Sequence, residues 1–196
     1  MGYSMDPVSA NCYPGTAVLI NKFDIQDEEK LNEIESVIAS ARYAEWLNAP
    51  QSATFDFEHY KAIHRYLFSD LYDWAGEVRS VDISKKGTRF TPANKIEKQA
   101  ESIFRRLRER NHFKGLPRDE FVEELVDFYC ITNLLHPFRE GNGRAQRLFL
   151  TQLIRNAGCD INFADMDTDL LMIATIKAAN GVKLHTVYKL MPKEKK

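Results

Sequence analysis

The sequence predicts a mainly α single domain, a bundle of several packed helices carrying one β-hairpin flap. Three observations point there. Apolar residues recur at three- and four-residue steps in several separate stretches, the signature of helices with one face on a core. The apolar period drops to two in one place, residues 81–90. At 196 residues, 44% apolar and 28% charged, the chain can bury a substantial core without disulfide or metal staples. No repeat, low-complexity tract or linker divides it, so residues 1–196 read as one domain.

Residues 1–24 form an arm. Tyr13-Pro14-Gly15-Thr16 signals a turn, and residues 17–20 are apolar without helical period. From Asp27 onward Leu31, Ile34, Ile38, Ala41, Ala44 and Leu47 share a face, with acidic residues in the first turn where the helix dipole favours them. Asp56 can cap a second helix with Tyr60, Ile63, Leu67 and Leu71 on one side. Residues 72–79 continue it past a glycine. Val81 and Ile83 then alternate with polar residues, Lys85-Lys86-Gly87 turns the chain, and residues 88–91 return, which makes a hairpin too small to be a core of its own.

Thr91-Pro92 opens a third helix, apolar at Ile96, Ala100, Ile103, Phe104 and Leu107, whose Arg105, Arg106, Arg108 and Arg110 read as a solvated face. Pro117 suits the first position of a fourth, with Phe121, Leu125, Phe128, Tyr129, Ile131, Leu134 and Leu135 apolar over most of its circumference. This predicts the central buried helix. Pro137 ends it, and a fifth helix runs from Gly143 to Asn156, stopped by Gly158. Further helices are expected over residues 168–179 and 187–190.

Composition excludes several function classes. A net charge of -1 argues against general nucleic-acid binding, so no direct nucleic-acid partner is expected. No apolar run reaches the ~18 residues of a membrane span, and the N-terminus has no secretory h-region, so a cytoplasmic protein is expected. Delivery as an effector into another cell, by a machine reading some other signal, is left open. Cys12, Cys130 and Cys159 are an odd number without CxxC spacing, which suggests reduced core thiols.

The chemistry concentrates in residues 136–147, His-Pro-Phe-Arg-Glu-Gly-Asn-Gly-Arg-Ala-Gln-Arg. Gly141, Asn142 and Gly143 stand at a predicted helix N-terminus, where unpaired N–H groups and the dipole bind phosphate. Flanking glycines let the backbone curl close to an anion. Arg144 and Arg147, three apart, share a helix face, and their guanidiniums suit a polyphosphate. Glu140 is a carboxylate of the kind that holds Mg²⁺ beside phosphates. His136, neutral at working pH, can take a proton from a hydroxyl nucleophile. Each residue alone is ordinary. Gathered at one helix junction they describe a phosphate site with a base, and Phe138 reads as the apolar anchor of its loop.

Residues 136–147 match the Fic (Fido) signature, HPF-x-D/E-GNGR-xx-R, at every specified position, and the chain is identified as a member of that family. Residues 73–79, 81–90, Tyr13-Pro14-Gly15-Thr16 and Asn21-Lys22 also resemble stretches of Fic toxins and effectors. The resemblance implies a protein adenylyltransferase, transferring AMP from ATP to a Tyr, Thr or Ser hydroxyl of a target protein and releasing pyrophosphate. It implies His136 as general base and Glu140 as the Mg²⁺ ligand. The amides of Gly141, Asn142 and Gly143 would form the anion hole, with Asn142 supporting the α-phosphate, Arg144 the β-phosphate side and Arg147 the γ-phosphate. It also makes the hairpin, Asp82, Ile83, Ser84, Lys85, Lys86, Gly87, Thr88, Arg89 and Phe90, a flap that holds the target segment as an added strand.

Many Fic proteins carry an inhibitory helix with the pattern Ser or Thr, three residues, Glu, then Gly or Asn, whose Glu pairs with the second arginine, here Arg147. Ser36 is followed four later by Ser40, and Thr54 by Glu58 but then His59, so the pattern is not met. The sequence thus resembles first the toxin class controlled by a small antitoxin that supplies this helix, and second an unregulated or degenerate member of the family. The competing expectations are a nucleotide-binding or pseudoenzyme Fic module without turnover, and transfer of another nucleotidyl or phosphate group. A Doc-type phosphotransferase would place a lysine where Gly143 stands.

Overall fold

The computed structural model describes residues 11–48, 53–85 and 87–159. Among them, helices α1 (Glu28–Asn48), α2 (Phe57–Phe68), α3 (Ile96–Glu109), α4 (Arg118–Leu135) and α5 (Asn142–Asn156) follow in order, with strands β1 (Ser84–Lys85) and β2 (Thr88–Arg89) between α2 and α3. The mainly helical class and the single hairpin are as predicted. The helices expected over residues 168–179 and 187–190, and Lys86 in the hairpin turn, lie outside the described residues. Among those described, no helix is long and apolar enough to cross a membrane.

The arm is irregular and packed, as its sequence suggests. Tyr13 N–H donates to Val18 O at 2.9 Å and Ile20 N–H to Asn11 O at 2.8 Å, which folds the segment back on itself and buries Val18 and Leu19. Lys22 N–H, bonded to Leu71 O at 2.8 Å, ties the arm to the turn just after α2. Both following helices start on an aspartate. Asp27 Oδ1 accepts from Lys30 N–H, and Asp56 Oδ1 accepts from His59 N–H, each at 2.8 Å, satisfying donors that a first turn leaves unpaired.

The helix expected to be the most buried is not. Helix α4 is not apolar all round: Glu123, Asp127 and Ile131, spaced by four, form an exposed stripe, with Ile131 36% accessible. The most buried helix is α5. Its Ala145, Leu148, Phe149, Leu150, Leu153 and Ile154 are at most 1% exposed, and its polar Gln146 is buried too because Nε2 donates to Tyr129 O and Thr132 Oγ1 on α4. Phe149 is the hub of an aromatic core, with the rings of Phe55, Tyr60, Phe104 and Phe128 all within 6 Å of its centroid. Buried polar residues, invisible to an apolar count, explain the exchange.

The arginines of α3 are solvated as expected, and some also clamp α3 to α4. Arg106 pairs with Glu124 at 2.9 Å, and Arg110 with Glu124 at 3.2 Å and with Glu120. Pro117 caps α4 rather than opening it, since the helix begins at Arg118. The hairpin is shorter than its alternation implies. Ser84 faces Arg89 and Lys85 faces Thr88, whereas Val81 and Ile83 precede the ladder and Ile83 is buried beneath it. The three cysteines form no disulfide and are half-buried at the edge of the core rather than within it.

Candidate active site

The site is built around the six residues that join two helices and the first turns of the second: α4 ends at Leu135 and α5 begins at Asn142. His136 makes the break. Its backbone is left-handed, φ 42° and ψ 61°, an unfavourable state for a residue that also precedes proline. Fixed partners hold it there: His136 N–H donates to Thr132 O at 3.2 Å, and the buried Arg79 donates from Nε to His136 O at 2.8 Å.

The ring of His136 is equally defined. Asn133 O lies 3.0 Å from Nδ1, and a carbonyl can only accept, so Nδ1 carries the proton and the basic lone pair is on Nε2. Phe90, at the end of the hairpin, stacks on the imidazole with centroids 3.8 Å apart and planes 11° apart. Burial drives the pKa down to about 3; the Asn133 carbonyl acts in the opposite sense, and Arg79 and Lys85 disfavour the imidazolium further. The histidine is therefore a neutral acceptor at working pH.

Beyond Pro137 the loop is built by its own side chains. Phe138 is fully buried and stacks on His64 at 3.8 Å, the anchor that the sequence suggests. Asn142 closes the loop in both directions: Oδ1 accepts from Phe138 N–H at 2.8 Å, and Nδ2 donates to Phe138 O at 2.7 Å. His64 fixes the middle. Its Nδ1 accepts from Gly76 N–H at 2.9 Å, so Nε2 carries the proton that Glu140 O accepts, also at 2.9 Å. Burial pulls this pKa to about 3 as well.

The two glycines differ in what they require. Gly141 has φ +74°, and a β-carbon there would stand 2.4 Å from Phe68 Cε2 and Cζ, so both the turn and the close approach to α2 exclude a side chain. Gly143 is already helical. A β-carbon there would meet only the Arg147 Nη1 end, at 3.2 Å. Gly141 N–H donates to Glu140 Oε1 at 2.9 Å, while Arg144 N–H and Ala145 N–H both reach Gly141 O at 3.1 Å. The Asn142 and Gly143 N–H groups are the first-turn donors that remain for an anion.

The charged side chains surround this nest. Glu140 is half-buried, and burial raises its pKa, opposed by the Gly141 N–H. Arg144 does not extend along the helix face toward open solvent; Nη2 pairs with Glu35 of α1 and lies 3.9 Å from Glu140 Oε1, and its guanidinium carbon stands 4.7 Å over the Phe68 ring. Arg147, one turn on, makes no ion pair among the described residues, and burial lowers its pKa. The sequence-derived residues His136, Glu140, Gly141, Asn142, Gly143, Arg144 and Arg147 are thus gathered in one site.

The hairpin lies at its edge. Arg79, 5% exposed, donates from Nη1 to Val81 O at 2.6 Å and from Nη2 to Thr91 O, so one guanidinium binds both ends of residues 81–91 and the carbonyl of His136. Asp82 Oδ1 accepts from Ala93 N–H at 2.7 Å. Of the flap candidates, Ile83 is buried, Ser84, Lys85, Thr88 and Phe90 are half-buried, and Asp82, Gly87 and Arg89 are exposed.

Three contributors are absent from the sequence reading: Glu35, His64 and Arg79. A signal existed for Glu35, because it lies between Ile34 and Ile38 on the face that Leu31 begins, where a carboxylate must find a partner.

Residues 54–154 match the Fic/DOC family. The chain belongs to it. A probable protein adenylyltransferase, y4lH of Sinorhizobium fredii, is 36% identical over 171 residues, 87% of this chain and 88% of that protein. The protein adenylyltransferase VbhT of Bartonella schoenbuchensis is 38% identical over 168 residues, and there the match spans 86% of this chain but 35% of the relative. Among solved structures, the BepC effector of Bartonella tribocorum with bound AMPPNP superposes with a TM-score of 0.87 at 27% identity, covering 95% of this chain and 97% of that one. The Fic/DOC match begins at Thr54, so α1 and its Glu35 lie ahead of it.

Among the described residues no three His, Cys, Asp or Glu side chains converge as a ready-made metal site. What the Fic site offers a divalent cation is the Glu140 carboxylate beside the nest. That donor set fits Mg²⁺, which takes one or two carboxylates and completes its shell with phosphate oxygens and water.

Proposed function

We propose that this Fic protein is a protein adenylyltransferase that transfers AMP from ATP to the hydroxyl of a Tyr, Thr or Ser side chain on a target protein. The observation that carries the reading is a neutral histidine with its lone pair on Nε2, set beside an anion-ready helix N-terminus. The adenylyltransferases among its relatives and the AMPPNP bound by BepC support the same chemistry.

In this reaction His136 Nε2 takes the proton of the target hydroxyl as its oxygen bonds to the α-phosphorus. The bond from that phosphorus to the bridging oxygen breaks, and pyrophosphate leaves with the electron pair. The proton then passes from His136 to solvent. The Asn142 and Gly143 amides receive charge on the α-phosphate, Asn142 holds the loop in that shape, and Gly141 gives the backbone its turn. Arg144 serves the β-phosphate and Arg147 the γ-phosphate. Glu140 would hold Mg²⁺, which supplies charge neutralisation to the phosphates.

The target enters along the hairpin. A two-stranded ribbon can accept a further extended segment as an added strand, and main-chain bonding then presents a hydroxyl with little demand on sequence. Residues 82–90 take this role, which the stacking of Phe90 on the His136 ring supports. Arg147 is also the control point, a half-buried guanidinium that a carboxylate from a small antitoxin's inhibitory helix would match in place of the γ-phosphate.

The test is incubation with labelled ATP, Mg²⁺ and host lysate, with the chain set against His136→Ala. Label on the α-phosphate marks a protein, label on the γ-phosphate does not, and the variant is silent. Transfer of the γ label would replace AMP transfer by phosphate transfer, and equal labelling by His136→Ala would remove the proposed base.

A further inference from the structure

We infer that Glu35 is a positioning residue for nucleotide binding: its carboxylate holds the Arg144 guanidinium where phosphates beyond the first will meet it. The inference rests on the reading of Arg144 as the β-phosphate ligand.

Glu35 comes from α1, ahead of the segment that matches the family, and is 6% exposed. A carboxylate so placed has to be paired and hydrogen-bonded. Both oxygens are. Oε1 accepts from Arg144 Nη2, and Oε2 accepts from the hydroxyl of Tyr72. Tyr72 is itself immobile, 1% exposed and stacked on Trp74 with centroids 4.4 Å apart. Burial, together with the adjacent Glu35 charge, raises the Tyr72 pKa, so it remains a proton donor across the working range.

The chain of contacts thus runs from the aromatic pair through Glu35 to Arg144, while Phe68 supports the guanidinium from its face at 4.7 Å. Arginine is a long side chain that loses rotamer freedom when it binds, and a guanidinium fixed beforehand loses less. Glu35 engages one nitrogen, Nη2. That nitrogen carries two hydrogens, one on the face it shares with Nε and one on the face it shares with Nη1, so a single bond to Glu35 leaves one of the two bidentate faces open to phosphate. This favours positioning over competition, since a carboxylate that sequestered the arginine would bring both oxygens to it, whereas Glu35 Oε2 is held by Tyr72.

The experiment is calorimetric titration of AMP and ADP into the full chain and into Glu35→Ala, Glu35→Gln, Arg144→Ala and the Glu35→Ala/Arg144→Ala double variant, each checked by thermal unfolding. Arg144→Ala should weaken ADP and spare AMP. Glu35→Ala should follow the same pattern, with ADP weakened on the order of tenfold. Glu35→Gln, which keeps an acceptor for Nη2, should recover most of the loss, and Glu35→Ala should add nothing once Arg144 is gone. Should Glu35→Ala fail to fold, Glu35→Leu fills the volume, removes the acceptor and is expected to give the same ADP-selective loss. Equal weakening of AMP and ADP would make the role structural, and tighter ADP binding would make Glu35 a competitor; either overturns positioning. An Arg144→Ala effect with none from Glu35 defeats this inference alone, whereas no effect from Arg144→Ala defeats it together with the β-phosphate reading.

Discussion

Replacing Gly141 by alanine tests the loop geometry more directly than removing any charged residue. Two costs are separable. The backbone at φ +74° penalises a β-carbon by about 1–2 kcal/mol. The β-carbon would also stand 2.4 Å from Phe68 Cε2 and Cζ, on a ring 1% exposed in a close-packed core, and such overpacking costs about 1–3 kcal/mol. Gly141→Ala should therefore lose about 2–5 kcal/mol of unfolding free energy, read by urea denaturation with linear extrapolation. Phe68 is also the ring beneath Arg144, so whatever ring shift relieves the clash should weaken ADP binding. Adding Phe68→Leu to Gly141→Ala should relieve the steric part and leave the backbone part, giving a favourable coupling in a double-mutant cycle. A Gly141→Ala chain within about 0.5 kcal/mol of the parent would refute the reasoning.

Gly143→Ala should behave oppositely: the site is helical and alanine is the better helix former by about 1 kcal/mol, so the fold should hold or gain while Arg147 shifts and ATP binding falls relative to ADP. Phe90→Ala should open His136 to water, so its imidazole, followed by NMR titration, should titrate higher than in the parent; an unchanged value would mean the stack does not bury it. Acid should destabilise the fold early. His64 and His136 are held near 3, against about 6.5 when unfolded, so the unfolded chain binds protons that the folded chain refuses. Their stability is complete above about 6.5 and falls as pH drops toward 3, by up to about 1.4 kcal/mol per pH unit for each histidine. Unfolding free energies that stay flat from pH 7 to 5 would contradict this.

The fold class, the order of the helices and the Asp56 cap were legible because each depends on local pattern. Burial was less so. Helix α4 counts as apolar in composition, yet Glu123, Asp127 and Ile131 share one stripe and face water. Helix α5 contains Asn142, Gln146 and Thr151, which look like surface residues until their hydrogen-bond partners on neighbouring segments are known. That the signature residues lie together was legible because they are contiguous, and continuity in sequence ensures proximity. Glu35, His64 and Arg79 act on the same twelve residues from 101, 72 and 57 positions before His136, and only tertiary packing brings them there.

That packing has a functional consequence. The proposed base, His136, stands at the end of α4 and the proposed anion donors at the start of α5, so their relative placement depends on what crosses between them. Asn142 ties the loop to itself, His64 ties Glu140 to Gly76, and Arg79 ties His136 to both ends of the hairpin. The same arginine that sets the base therefore sets the surface along which a target hydroxyl would arrive. Any movement of the hairpin large enough to pull on residues 81 or 91 would be felt at the His136 carbonyl. On the proposed reading, target docking and the alignment of the base would be coupled through Arg79.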